Sequence, residues 1–474
     1  MSQSEKKLGL FALTALVVGS MVGGGIFTLP QNMAEGAGAG AILCAWLITF
    51  IGMLTLTRIF QWLSIHRADI DDGVYGYAKD GFGEYLGFNA AWGYWVSAWI
   101  SNTGYLVVMF SALGSFKSLS FFEEGNSLSA LIGEVTLLGM MHFFVLSGIR
   151  TATILNAIVT VAKLIPVCLF IICVTLAFRI ETFSLDFWGS TDLGSIGSQI
   201  KKTMLYTVWV FLGIECATVY SSRAKNMHIV SRATLLGFII TIFLLICVSV
   251  LSLGIVSQNQ LAVMKNPSMA AVIEVVVGPV GAMVINLGVI LSVGGAFLAW
   301  TLICSEMLYL AARGKNNTAP ATFGKLNAKG TPVNALWLSN TLIIILLIVN
   351  YYNGSGYNIL VQLASSMCLI PYLLCAGCAL RIALQPQYKS SFLISLSLAG
   401  VIYGTWLIYA GGLSYLLLSM MLYFPGLFFF YRARKERGLK TFSNKYEACC
   451  AVIILILALI AGYFMLTNGF SLTG

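Results

Sequence analysis

The chain has 474 residues, of which 58% are hydrophobic and only 9% are charged, whereas soluble domains carry about 25% charged residues. This composition excludes a soluble enzyme or binding domain and predicts an all-α polytopic membrane protein. The net charge of +9 does not indicate a nucleic-acid partner, because most positive residues fall in short loops between apolar stretches.

About thirteen stretches approach the roughly 20 apolar residues that span a bilayer, and no separate soluble domain fits between them. With the N-terminus in the cytoplasm, 21 of the 27 lysines and arginines lie inside and five outside. This asymmetry predicts an odd number of spans and an external C-terminus. The basic cluster at 432–445 is therefore mainly a topology signal, with lipid head groups as a secondary partner. The stretches are centred near residues 20, 48, 100, 138, 168, 211, 242, 295, 342, 368, 401, 422 and 458.

The first apolar stretch contains the sequence GSMVGGGIF, with three consecutive glycines at Gly23, Gly24 and Gly25. Each glycine costs about 1 kcal/mol of helix propensity relative to alanine. An unwound backbone at membrane depth is tolerated only where it lines a cavity or is buried in protein. The run therefore predicts a helix break at mid-membrane, and a packing face of small residues is the alternative.

A second candidate break lies in WVFLGIECATV, which contains Gly213 and Glu215 within the sixth apolar stretch. Two interrupted segments at corresponding positions of two halves are typical of a transporter built from inverted repeats. Leu-Ile-Pro also recurs in the fifth and tenth stretches, at an offset compatible with one duplication. We therefore predict repeats at 1–180 and 195–385, followed by additional helices at 390–474.

A helix that begins after such a break presents free N–H groups and a partial positive charge, which suit a carboxylate. The unwound carbonyls nearby suit an ammonium group, and glycine allows close approach because it has no side chain. The break at Gly23–Gly25 therefore predicts a site for the head of an α-amino acid.

Ionisable residues within spans are functional candidates because a charge there is costly. Glu215 is predicted either to pair with a cationic substrate and take up a proton, or to accept hydrogen bonds from the broken helix. Lys163 either occupies with its ammonium the place of a sodium ion or pairs with a carbonyl or snorkels toward water. For Glu134 and His142 a structural polar contact is the favoured interpretation.

Trp209 and Trp300 lie within spans, away from the membrane interfaces where tryptophan concentrates. An aromatic face attracts a guanidinium or ammonium group by about 0.5–2 kcal/mol, and packing is the alternative role. The eleven cysteines show no metal-ligand spacing, so we predict neither metal nor cofactor. No nucleophile, base and acid set indicates an enzyme, and no ring of pore-lining motifs indicates a channel.

Four strings carry a family resemblance: LGLFALTALVVGSMVGGGIFTLPQNMA, DDGVYGYAKDGFGEYLGFNAAWGYWVSAWISN, WVFLGIECA and GTPVNALW. Together the chain resembles the basic amino acid and polyamine antiporters of the APC superfamily, and most of all their arginine/ornithine branch. The resemblance implies a five-plus-five inverted-repeat fold with two or three extra C-terminal helices. It also implies alternating access in the bacterial cytoplasmic (inner) membrane.

Matched by residue, the resemblance implies that the substrate α-carboxylate meets the backbone of Gly24 and Gly25. Arginine/agmatine relatives read Gly-Ser-Gly here, so Gly24 replaces a serine and that side-chain contact is absent. Trp209 corresponds to the aromatic that stacks on the substrate, with Leu212 and Gly213 on the unwound stretch. Glu215 corresponds to a glutamate involved in gating or proton coupling.

The resemblance further implies that Asn102 is a polar pocket residue, Trp300 a second aromatic and Tyr94 an outer gate. Lys163 is grouped with Glu215 and Tyr94 in gating or proton coupling, and Ser365 supplies a hydroxyl on the tenth span. The expected function is exchange of arginine for ornithine, with agmatine or another cationic amino acid such as lysine as the alternative. The expected partners are small cationic amino acids or amines and membrane lipid, without nucleic acid, and a homodimer is left open.

Overall fold

The computed structural model describes residues 9–67, 69–70, 72–147, 162–215, 227–313, 318–354 and 356–467. Their regular elements are helices, apart from an isolated antiparallel bridge between Leu326 and Pro332, so the all-α prediction is confirmed. The helices are α1 Leu10–Met21, α2 Gly25–Ala34, α3 Ala39–His66, α4 Gly73–Phe82, α5 Glu84–Gly114, α6 Leu128–Leu146, α7 Leu164–Leu176, α8 Ile180–Ser184, α9 Ile196–Trp209, α10 Met227–Ser252, α11 Gln258–Ala262, α12 Ser268–Val277, α13 Pro279–Ala312, α14 Val333–Asn353, α15 Gly356–Ala383, α16 Ser391–Glu436 and α17 Lys445–Thr467.

Among the described residues, nine helices are long and apolar enough to cross a membrane, and the bent pair α1 and α2 makes a tenth candidate span. The difference from thirteen has two visible sources. The 46-residue helix α16 contains two predicted centres and is interrupted at Gly412, whose φ is +81°. The helices α7 and α9 are short. Residues 148–161, which precede α7, and residues 216–226, which follow α9, lie outside the described part of the chain.

The chain forms two compact units. Unit 1 comprises residues 1–66, 105–130 and 152–297, and unit 2 comprises residues 67–104, 131–151 and 298–474. This division follows spatial contacts, so the predicted sequence repeats at 1–180 and 195–385 stay a prediction.

In unit 1, α10 packs against α1, α2, α3 and α7. Gly237 on α10 packs closely against Val17 of α1, so that a Cβ at Gly237 would stand only 2.5 Å from Val17 Cγ1. The indole N–H of Trp46 on α3 donates to Ser249 Oγ on α10 at 2.9 Å. These contacts hold α3 and α1, which ends just before the glycine run, against α10.

In unit 2, the short helix α4 packs on α15. The Arg313 guanidinium lies 3.0 Å from Asp72 Oδ1, and Tyr75 and Thr318 share a hydrogen bond of 2.9 Å between their hydroxyls. Beside α4, the hydrogen bond from Arg67 holds the pKa of Asp69 below its usual value.

The basic cluster at 432–445 also has a structural role. Arg437 donates to the carbonyl oxygens of Ala319 and Ala312, at 2.9 and 3.2 Å. The second of these carbonyls ends α13, where the orphan C=O groups of a helix need donors. Part of the positive charge on this side of the chain therefore holds a helix end, in addition to its expected role in topology.

Candidate functional site

The first apolar stretch is interrupted where the glycines occur. Helix α1 ends at Met21, Val22 has φ −77° and ψ 90°, and α2 begins at Gly25. The axes of the two helices differ by 47°. All ten residues of α2 are buried, so the break places the N-terminus of a helix, with its free N–H groups and partial positive charge, inside unit 1.

The three glycines have little or no room for side chains. A Cβ on Gly25 would lie 2.6 Å from Nε1 of Trp209, and a Cβ on Gly24 would lie 3.0 Å from Cγ2 of Val293. At Gly23 the nearest atom to such a Cβ would be the hydroxyl of Tyr105, at 3.3 Å. The glycine run therefore allows close packing as well as the break.

The sixth stretch also loses its helix at the predicted position. Helix α9 ends at Trp209, and Gly213 has φ +98°, a conformation that glycine adopts without strain. Leu212 is buried and Glu215 is half-buried. Residues 216–219 of the predicted motif lie outside the described residues.

Trp209 joins the glycine break of the first stretch to the end of α9 within unit 1. Its indole edge lies against Gly25, and its ring centroid is 5.5 Å from that of Tyr105, at 45°. The Trp209 side chain is only 4% exposed. The structure therefore brings together Gly23, Gly24, Gly25 and Trp209 from the predicted set.

Lys163 is buried beside the same segment, at the N-terminal end of α7. Its Nζ donates to the carbonyl oxygen of Gly19 on α1 at 2.5 Å. The expected pairing with a carbonyl is observed, and the alternative that the ammonium takes the place of a sodium ion stays a prediction. The ammonium thus ties α7 to α1 one turn before the glycine break.

Replacing Lys163 with methionine should lower the melting temperature by a few degrees and slow transport. A hydrogen bond to a charged group is worth about 1.5–3 kcal/mol, and its loss leaves the Gly19 carbonyl unsatisfied. Thermal unfolding in detergent measures the effect, with the exposed Lys117→Met as the matched control. An unchanged melting temperature in the Lys163 variant would show that this bond does not hold α1.

Four predicted residues lie in unit 2. The rings of Tyr94 and Trp300 stack with centroids 5.9 Å apart at 26°. Asn102 donates from Nδ2 to Thr301 Oγ1 at 3.1 Å, while its buried Oδ1 has no hydrogen-bond partner among the described residues. The Ser365 hydroxyl donates to Val361 O within its own helix at 2.8 Å, which leaves it only an acceptor for other groups.

The two remaining ionisable residues in α6 differ in their surroundings. His142 Nδ1 and Asn340 Nδ2 form a hydrogen bond of 2.8 Å, the structural polar contact expected for this histidine. Glu134 is 2% exposed, and its Oε1 has no hydrogen-bond partner in the described part of the chain. The contact expected for Glu134 is therefore not found at this oxygen.

Sequence reasoning missed four residues that contact the predicted set: Tyr105, Ser292, Val293 and Thr301. The Ser292 hydroxyl donates to the carbonyl of Gly23 at 3.3 Å. A signal existed for two of these residues. Tyr105 follows Asn102 by three positions on one helix, a spacing that places side chains on the same face, and Thr301 is the neighbour of Trp300.

A family model described as amino acid permease matches residues 8–456. The chain belongs to the amino acid permease family. This assignment fits a multi-pass membrane protein whose first span breaks at three glycines.

Three relatives cover nearly the whole permease. An arginine/ornithine antiporter of Pseudomonas aeruginosa is 46% identical over 476 residues, which are 97% of this chain and 98% of the relative. A putative arginine/ornithine antiporter of Escherichia coli is 42% identical over 464 residues, with 97% and 99% covered. An arginine/agmatine antiporter of Chlamydia caviae is 40% identical over 479 residues, with 98% of each chain covered.

Proposed function

We propose that this permease is a secondary transporter that exchanges arginine for ornithine across the bacterial cytoplasmic membrane by alternating access. The observation that carries the proposal is the break at Gly23–Gly25. A buried helix begins there, and the N–H groups of its first residues have no intrahelical partners. The names of the relatives that are 46% and 42% identical support the choice of substrates.

In this proposal the backbone N–H groups of Gly24 and Gly25 bind the substrate carboxylate. The partial positive charge at the start of α2 favours an anion, and the glycines keep side chains out of the way. The unwound carbonyls before α2 accept from the α-ammonium group. Ornithine and arginine share this head group, so one site at the break serves both substrates.

Trp209 stacks on the cationic end of the substrate, and Glu215 pairs with that end or carries a proton when the site empties. The side chain of Leu212 and the backbone of Gly213 border the unwound stretch. The roles of Tyr94, Asn102, Trp300 and Ser365 rest on the family resemblance. We also propose a cytoplasmic N-terminus and an external C-terminus, and a carrier that returns arginine chemically unchanged.

Obligatory exchange requires that the loaded carrier reorients quickly and the empty carrier slowly. A substrate produces this difference only if it binds the occluded state more tightly than the open states. A carboxylate bound at the start of α2 and a cation on Trp209 together bridge the first interrupted segment and the end of α9. That arrangement gives the substrate a means of stabilising one conformation of these segments.

Arginine/agmatine exchange is the second candidate, supported by the relative from Chlamydia caviae. Agmatine lacks the carboxylate that the first break would bind. Uptake of labelled arginine into proteoliposomes loaded with ornithine, agmatine, lysine or buffer distinguishes the candidates. We expect rapid uptake against ornithine and little against buffer. Faster uptake against agmatine would select the second candidate, and equal uptake into empty vesicles would exclude exchange.

Replacing Glu215 with glutamine should slow exchange and weaken its dependence on pH, because the variant keeps the shape of the side chain and loses its titratable charge. The effect is measured as the initial rate of arginine/ornithine exchange between about pH 5 and pH 8. The exposed Glu181→Gln is the matched control. A Glu215 variant with wild-type rates across this pH range would remove Glu215 from gating and proton coupling.

A further inference from the structure

Tyr105 stands at the glycine break. Its hydroxyl oxygen is 3.3 Å from the position that a Cβ on Gly23 would occupy, and two atoms of its ring are 3.2 Å from that position on Gly24. The side chain is 6% exposed, and its ring lies beside that of Trp209. A head group that rests on the backbone of Gly23–Gly25 therefore lies beside this hydroxyl.

The break itself supplies no side-chain donor. Residues 23 to 25 are glycines, and the tight spacing to Val293 at Gly24 and to Trp209 at Gly25 leaves no room for a hydroxyl at these positions. A tyrosine hydroxyl donates one hydrogen bond and also accepts. Bonds from such a donor to an ionised carboxylate are shorter and stronger than those between neutral groups.

We infer that Tyr105 is a specificity-determining residue that selects substrates carrying an α-carboxylate. The inference rests on the proposed function, because it takes the glycine break as the site of the substrate head group. The Tyr105 hydroxyl donates to the carboxylate beside the N–H groups of α2. Agmatine has no acceptor at this position, and the amide oxygen of argininamide accepts only a weaker, neutral hydrogen bond. Tyr105 therefore favours an amino-acid product over its decarboxylated amine.

Tyr105→Phe tests the inference because it keeps the ring against Trp209 and Gly24 and removes only the hydroxyl. We measure the concentrations of ornithine, arginine, agmatine and argininamide that half-inhibit labelled arginine uptake into arginine-loaded proteoliposomes. The values for ornithine and arginine should rise about tenfold, as expected for one lost charge-assisted hydrogen bond. The value for agmatine should change by less than about twofold, and the value for argininamide should rise less than that for arginine, because its amide oxygen accepts only a neutral hydrogen bond.

Tyr206→Phe is the matched control. It removes a hydroxyl of the same unit that donates to Glu35 Oε2 at 2.9 Å, and it should leave the ratio of arginine to argininamide inhibition unchanged. Equal changes for all four compounds in Tyr105→Phe, or no change, would overturn the inference. The arginine and argininamide pair tests the role of the hydroxyl even if ornithine proves not to be the exchanged product. Failure of wild-type exchange with ornithine would instead count against the proposed function.

Discussion

Replacing Gly25 with alanine should reduce arginine exchange roughly ten- to hundredfold. The added Cβ would lie 2.6 Å from Trp209 Nε1 and 2.9 Å from Val210 Cγ1, closer than carbon and nitrogen atoms approach without a bond. Overpacking of this kind costs about 1–3 kcal/mol, and relief requires the Trp209 ring or the start of α2 to move. Either movement disturbs both predicted contacts of the substrate.

Gly294→Ala is the matched control for Gly25→Ala. Gly294 lies in α13 within unit 1, and no heavy atom stands within 4 Å of the position of its added Cβ. Initial rates of exchange, normalised to the amount of reconstituted protein, should match the wild type in this control. Normal exchange by Gly25→Ala would show that Gly25 is not part of a tight substrate site, and an equal loss in both variants would point to general helix effects.

Replacing Trp209 with alanine should raise the half-saturating concentration of arginine and ornithine about tenfold or more. The change removes a cation–π partner worth about 0.5–2 kcal/mol and the ring that packs against Gly25 and Tyr105. Competition by unlabelled substrates against labelled arginine in proteoliposomes measures the effect. The Trp209→Phe variant keeps an aromatic face and should recover part of the affinity.

Citrulline separates the two roles of Trp209, because it has the shape of arginine without the positive charge. We expect inhibition by citrulline to weaken less than inhibition by arginine in Trp209→Ala. An equal loss for citrulline and arginine would show that the ring acts in packing or gating rather than in attraction of a cation.

The position of the glycine break and the loss of helix before Gly213 could be predicted from the sequence, because they depend on local properties. Three consecutive glycines in an apolar stretch disfavour a continuous helix wherever the chain folds. Gly213 similarly disfavours a continuous helix, and α9 ends before it, at Trp209. The all-α class followed from composition, because a chain this apolar must satisfy its backbone polar groups internally in lipid.

The partners of these segments depend on long-range contacts and could not be predicted in the same way. Val293 contacts Gly24 although the two residues are 269 positions apart in the sequence. Neither stretch contains a signal that predicts this contact. The sequence left the partner of Lys163 open, and only the structure identifies it as the carbonyl oxygen of Gly19. The contact of Tyr105 with the glycines could not be predicted from helical periodicity alone, because it also depends on which face of α5 is turned toward the break.

The central claim is that the start of α2 binds the carboxylate of the substrate, and a structure of the permease with arginine in a lipid nanodisc tests it most directly. We predict carboxylate oxygens about 3 Å from the backbone nitrogens of Gly24 and Gly25, the usual N–H···O distance. Arginine bound with its carboxylate away from these nitrogens, or α1 and α2 joined in one continuous helix around the bound substrate, would contradict the claim.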